Sequence, residues 1–248
     1  MIPLIRGWTD VQRTPQANTR LGVTLAAVAG AANAGGFLAV NQYTSHMTGV
    51  VSGMADALVL GHTGTALIGL AMLLAFVTGA MCTALLVNWG MRHHLHSAYG
   101  LPLLLEAALL LVFGLFGGAI AVAAHLFVPL TVVLLCFIMG LQNAVITKIS
   151  RAEIRTTHIT GLVTDMGIEL GKLLYINPAP SEYPVRANRD KLRLQLKLIG
   201  AFALGALAGA MGFKHVGYIA TLPLALALLA LVIKPLWKDL HPSAYPAA

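Results

Sequence analysis

The chain has 248 residues, of which 58% are hydrophobic and 10% charged, less than half the roughly 25% charge content of soluble domains. With a mean hydropathy of +0.80, this composition excludes a soluble globular fold and points to lipid as the solvent. The net charge of +7 does not indicate nucleic acid, because most of the Lys and Arg residues lie in loops beside apolar runs, without interleaved aromatic residues.

A membrane-crossing helix needs about 20 apolar residues. Six segments qualify: 21–40, 65–88, 101–123, 126–147, 194–213 and 217–234. Residues 1–20 form a basic tail with Arg6, Arg13 and Arg20. No Ala-x-Ala cleavage site precedes the first run, so 21–40 is expected as a retained helix and not a signal peptide. In it, Gly30 with Ala34 and Ala31 with Gly35 make small-xxx-small faces, which let helices approach closely in lipid. Asn33 is its one strongly polar side chain, suited equally to an interhelical hydrogen bond and to a solute contact.

Next comes Tyr43-Thr44-Ser45-His46-Met47-Thr48-Gly49, and then a stretch, 49–62, too short to span. Ser52 and Asp56 are four apart and share a helical face. An ionisable group at membrane depth is costly, which makes Asp56 a candidate; at the surface it would only face water. Span 65–88 contains Cys82 and leads to Arg92, His93, His94 and His96. That histidine cluster has no carboxylate or thiol beside it, and no metal site is expected. The apolar run 101–147 is divided near His125 and Pro129. Glu106 lies in its first half, Cys136 in its second. The two cysteines lack CxxC spacing and read as packing residues. The second half ends in Gln142-Asn143, an echo of the Asn33 region.

Lys148, Arg151 and Glu153 then lead into Arg155-Thr156-Thr157-His158-Ile159-Thr160-Gly161. This is the earlier order again: two hydroxyl residues, His, an apolar residue, Thr and Gly. In the following helix, 161–174, Asp165, Glu169 and Lys172 share a face, expected to be the solvated side of an interfacial helix. A loop with Pro178, Pro180 and Pro184 precedes Arg186, Arg189, Lys191 and Arg193. Gly205, Gly209 and Gly212 form another close-packing face. Lys197 and Glu106 lie near the same ends of their spans and are expected to pair.

Charge decides the topology. If 49–62 and 161–174 do not cross the bilayer, fourteen of the sixteen Lys and Arg residues fall on the side of the N-terminus. If both cross, only ten remain inside and five lie outside. The positive-inside rule therefore favours six spans with both termini cytoplasmic. The expected fold is an all-α membrane protein: six transmembrane helices as two inverted three-helix repeats, each with an additional short polar re-entrant or interfacial helix. The tails are 1–20 and 235–248, and the single transmembrane domain, 21–234, divides into repeats 21–123 and 126–234. Since three spans are odd in number, the two signatures start on opposite sides of the bilayer.

Asn33-Ala34-Gly35, the 43–49 signature, Gln142-Asn143-Ala144 and the 155–161 signature resemble the YoaK-like, DUF1275 family of bacterial membrane proteins. The resemblance covers about 21–234. It implies a six-helix integral protein of the bacterial inner membrane and implies no reaction.

Function is sought in the duplicated polar residues, since paired polar segments in two halves of a membrane protein are the best pointer to a solute site. The candidate binding residues are Thr44, His46, Thr48 and Gly49 with Thr156, His158, Thr160 and Gly161, together with Asn33, Asn143 and Asp56. Hydroxyls offer donors and acceptors. The glycines permit close backbone approach or an unusual φ. Helix N-termini favour an anionic solute. Imidazole exchanges protons near neutral pH, which would permit proton coupling. The competing roles are helix caps and interhelical hydrogen bonds. No hydrolase, P-loop or dinucleotide motif occurs. The expectation is a secondary transporter or channel-like permease, not an enzyme, with no cofactor and no catalytic residue. A membrane scaffold or sensor is the alternative; an intramembrane hydrolase using Ser52 and His46 is the remotest. Partners are the bilayer, the unidentified solute, a coupled proton and, as an open option, a second copy of the chain.

Overall fold

The computed structural model describes residues 8–11, 14–122, 124–178 and 183–241, with the side chains of 116–129 outside that description. Within it the chain is helical, and no strand occurs among the described residues. The elements are α1 (Pro15–Val40), α2 (Met47–Val59), α3 (Thr63–Arg92), α4 (Gly100–Val122), α5 (Ala124–Ile149), α6 (Ile159–Leu174) and α7 (Arg189–Val216), then a 3-10 turn (Gly217–Thr221) and α8 (Leu222–Leu240). Four stretches among the described residues are long and apolar enough to cross a membrane: Pro15–Val40, Thr63–Arg92, Leu130–Ile149 and Arg189–Leu240. The last of these comprises α7, the turn and α8. The outer surface is apolar as well. On α3, Leu67, Leu74, Met81 and Leu85 are exposed, as are Leu204, Leu207 and Met211 on α7. An apolar exterior of this extent is stable only in lipid. The protein is a helical membrane protein.

Local chemistry sets the helix ends. Thr14 caps α1 by accepting from the Ala17 N–H, with Pro15 in the first turn, where a missing N–H costs nothing. The first helix therefore begins six residues earlier than the hydropathy boundary at 21. Asn41 ends it in the left-handed region at φ 54°, its N–H donating to the Phe37 carbonyl. Asn188 caps α7 through the Lys191 N–H, and Gly217 at φ 63° lets the chain turn at its end. By contrast α2 and α6, with 13 and 16 residues, measure about 20 and 24 Å at 1.5 Å per residue, short of a bilayer core of about 30 Å.

The helices pack through small residues. Ala27 faces Gly205, Ala31 faces Gly209 and the Phe213 ring covers Gly35, so α1 and α7 run parallel. Gly79 meets Phe137 and Leu141, Gly140 meets Phe76, and Ala80, Thr83 and Ala84 line one cavity with Asn143, Ala144 and Thr147, so α3 and α5 are parallel to each other. Gly22 meets Ile146 while Gly36 meets Leu135, which sets α1 antiparallel to α5. The Thr221 hydroxyl donates to the Leu110 carbonyl at 3.0 Å, and Gly100 meets Val232, so α8 is antiparallel to α4. Helix α5 touches α1, α3 and α4 and supplies much of the core through Leu135, Ile138, Met139 and Leu141. The short helices lie outside this core, α2 against α3 and α6 against α7.

The start of the described chain packs on the bundle: Trp8, Thr9 and Asp10 are buried, the Thr9 hydroxyl donates to the Leu231 carbonyl at 2.9 Å, and Asp10 pairs with Lys238 and lies 3.6 Å from His96 Nδ1. Both ends of the described chain thus meet at one end of the bundle. Two expectations need correcting. Glu106 and Lys197 do not pair; the glutamate is buried, neither carboxyl oxygen has a hydrogen-bond partner among the described residues, and the lysine is exposed. Glu169 does not face solvent either. It is buried, accepts from Lys172 Nζ at 2.9 Å and from the Asn188 N–H at 2.6 Å, and so ties α6 to the start of α7. The 2.9 Å Asp165–Lys191 ion pair reinforces that tie.

The Lys172 hydrogen bond, followed by the Asn188 N–H, holds the Glu169 carboxyl below the usual glutamate range. A carboxylate lowered in the folded state stabilises the fold fully above the ordinary value of about 4.3 and loses that contribution as pH falls through its lower folded value. Glu169→Gln is therefore expected to melt at a lower temperature than the wild type at neutral pH. The gap should close on acidification below that value, as read by thermal melting across pH in detergent.

Candidate functional site

The two signatures occupy equivalent places. Each follows a long helix, α1 or α5, and each places its His immediately before a short helix, α2 or α6. Burial repeats residue by residue. Thr44 and Thr156 are fully buried, Ser45 and Thr157 half-buried, and His46, Thr48, His158 and Thr160 exposed. An asparagine anchors each copy to the preceding helix. Asn33 Oδ1 accepts the Ser45 N–H at 3.2 Å, and Asn143 Oδ1 accepts the Thr157 hydroxyl at 2.7 Å. Asn143 is fixed in turn by donating to the Met139 carbonyl at 2.8 Å. Both asparagines thus position the signatures.

The spacing of His and Gly shared by the two copies has a steric cause. A Cβ at Gly49 would collide with the His46 imidazole, and one at Gly161 with that of His158. The glycines seat the rings in the first turn of the helix. Neither adopts a positive φ, so the expectation of an unusual backbone angle is not met. Neither histidine side chain caps its helix, and no acidic residue occupies either first turn. The first-turn N–H groups, with their positive partial charge, are thereby left facing the imidazole region. Thr44 and Thr156 add a buried hydroxyl each, and neither has a hydrogen-bond partner among the described residues. The competing role of helix cap is not one that these side chains take among the described residues.

The copies differ in charge. Arg155 in the second stands where Tyr43 stands in the first. Its guanidinium lies 3.4 Å from His158 Nδ1, whereas Tyr43 stacks on Phe37 at 4.5 Å between centroids. The structure does not bring the two signatures together. Ile154, next to the second, packs on Gly22 near the start of α1, while the first follows the end of α1. They therefore lie at opposite ends of the bundle. Asp56 and Ser52 are exposed on α2.

Two cavities lie along α5. One of about 390 Å³ opens between α3 and α5, lined by Phe76, Thr83, Gly140, Asn143, Thr147 and Lys148 among others. The second, about 490 Å³, lies where the starts of α1, α4 and α7 meet the end of α5, with Asn18, Tyr99, Lys148, Arg151 and Glu153 in its wall. Lys148 borders both. Of the candidate binding residues, Asn143 lines the first of these two cavities and the others line neither. Thr83 and Lys148 join it there without having stood among the candidates, although a hydroxyl in mid-span and a cation at a span's end are visible signals. Arg151 and Ala152 hold positive φ values of 52° and 68°, a left-handed turn that redirects the chain from α5 into the second signature.

A family model described as "Protein of unknown function (DUF1275)" matches residues 21–234. No curated protein and no solved structure matches the chain.

Proposed function

The chain belongs to the DUF1275 family, and within it we propose a secondary transporter or channel-like permease for a small solute, built from two inverted repeats, α1–α4 and α5–α8. The observation that carries this reading is the matched geometry of the two signatures at opposite ends of the bundle. Several packing relations support the symmetry: α1 lies on α7 as α5 lies on α3, α2 lies on α3 as α6 lies on α7, and α1 opposes α5. Inverted repeats with polar sites at short or broken helices serve alternating access. On this reading α1, α3, α4, α5, α7 and α8 cross the bilayer, both termini are cytoplasmic, and the membrane is the bacterial inner membrane.

Each signature then acts as a gate on its own face. The solute meets first-turn N–H groups, an imidazole and a threonine hydroxyl at one end, passes along α5, and meets the same set at the other. Uncapped N-termini without acidic neighbours favour an anion, and Arg155 and Lys148 strengthen that preference on the inner side. The test is a thermal-stability screen of purified protein with inorganic phosphate, sulfate and short mono- and dicarboxylates, followed by uptake of any stabilising solute into proteoliposomes. His46→Ala and His158→Ala are each expected to cut uptake at least tenfold while the protein stays folded. Unchanged uptake in both, or no stabilising solute and a co-purifying partner instead, would favour a scaffold.

A further inference from the structure

Helix α4 carries a single charged residue, Glu106. It shares a face with Leu103, Ala107, Leu110 and Phe113, all buried, and is itself fully buried. Neither carboxyl oxygen has a hydrogen-bond partner among the described residues. On the adjoining α5, Gln142 is also fully buried, within the stripe Ile138, Met139, Val145 and Ile146, and both atoms of its amide are unpartnered. Glu106 lies on the buried face of α4 and Gln142 on that of α5, and the two helices pack against each other. No hydrogen bond joins them in this conformation.

Four unpartnered polar atoms within one apolar core are a cost that native folds rarely leave uncompensated. An isolated carboxylate there is costlier still, and such a group takes up a proton instead. The titratable groups on the elements packed against α4 are Cys82 and Arg92 on α3, Cys136 and Lys148 on α5, Tyr218 in the 3-10 turn, and Lys234, Lys238 and Asp239 on α8; the side chain of His125 lies outside the description. None of them hydrogen-bonds the carboxyl. Lys238 is held by Asp10 and Asp239 by the backbone N–H groups of His96 and Ser97.

We propose that Glu106 is a proton-binding site, loaded in the conformation seen here and emptied in a second conformation in which water reaches it and the Gln142 amide donates to the carboxylate. The O–H bond breaks, the proton passes to water, and the electron pair stays on the carboxylate oxygen. Coupling of that proton to solute movement rests on the transporter reading; proton binding does not.

The experiment is infrared spectroscopy of the full chain in lipid nanodiscs. At neutral pH the wild type should show a protonated-carboxyl carbonyl band that shifts in heavy water, disappears reversibly as pH is raised, and is missing from Glu106→Gln. Glu106→Asp should retain a displaced band, which covers the case in which the glutamine variant fails to fold. A band unchanged in both variants overturns the proposal. So does a band that neither exchanges with deuterium nor titrates before unfolding, since the acid would then be filling space only. Solute uptake is scored separately: if the band behaves as expected and no solute is transported, the proton site stands and the transporter reading falls.

Discussion

Gly79→Ala and Gly205→Ala are expected to destabilise the protein strongly, although alanine is the better helix former. A Cβ at Gly205 would fall on the Ala27 carbonyl, and one at Gly79 on that of Phe137, each closer than 3.0 Å. The obstacle is backbone, so no rotamer change relieves it, and the two helices must separate along their whole seam. Overpacking of this kind costs about 1–3 kcal/mol, and the weakened dispersion attraction between the separated helices adds to it. The gain from replacing a helical glycine is only about 0.5–1 kcal/mol, so the clash decides the sign. Gly53→Ala in α2 and Gly200→Ala in α7 are the matched controls, because nothing lies within 4 Å of the added atom. Those two should be neutral or stabilising in thermal melts. The Gly79 and Gly205 effects should add, since they belong to different helix pairs. If Gly79→Ala melted with Gly53→Ala, the α3–α5 seam would have to be looser than described.

These seams also show how far the sequence can be read. Gly30, Gly205 and Gly209 are identifiable from their four-residue spacing, and they do meet a facing helix. Ala75, Gly79 and Thr83 have the same spacing, as do Gly140 and Ala144, yet nothing in the sequence matches one seam to the other. The signal is local to one helix and does not say which helix answers it. The positions of Glu169 and Asp10 are not legible for a related reason. Their partners lie 19 and 228 residues away, and a helical face marked by charge looks the same whether water or a neighbouring N-terminus covers it. The signatures are legible because duplication needs no knowledge of the fold. Their opposite placement follows from charge, because the basic residues cluster around the end where α1 begins. What the glycines do is not legible: the sequence suggests a backbone requirement, and the structure shows a seat for an imidazole ring.

Thr44→Val and Thr156→Val are expected to separate stability from function. Valine has nearly the shape of threonine, and it removes a hydroxyl that is buried and has no partner among the described residues. Leaving such a group unsatisfied costs about 1–3 kcal/mol, so each variant should melt at the wild-type temperature or above it. Thr83→Val supplies the contrast within the same fold. The Thr83 hydroxyl is equally buried but donates to the Leu141 carbonyl at 2.9 Å, and its loss should cost about 1 kcal/mol. Uptake should move the other way. If the orphaned hydroxyls are reserved for the solute, either signature variant loses a hydrogen bond to it, and a tenfold loss in affinity corresponds to about 1.4 kcal/mol. A polar site kept at the expense of stability is what a binding function requires, because selection for stability alone would place valine there. Should Thr44→Val and Thr156→Val destabilise as much as Thr83→Val and leave uptake intact, the hydroxyls are structural and the candidate site loses its buried half.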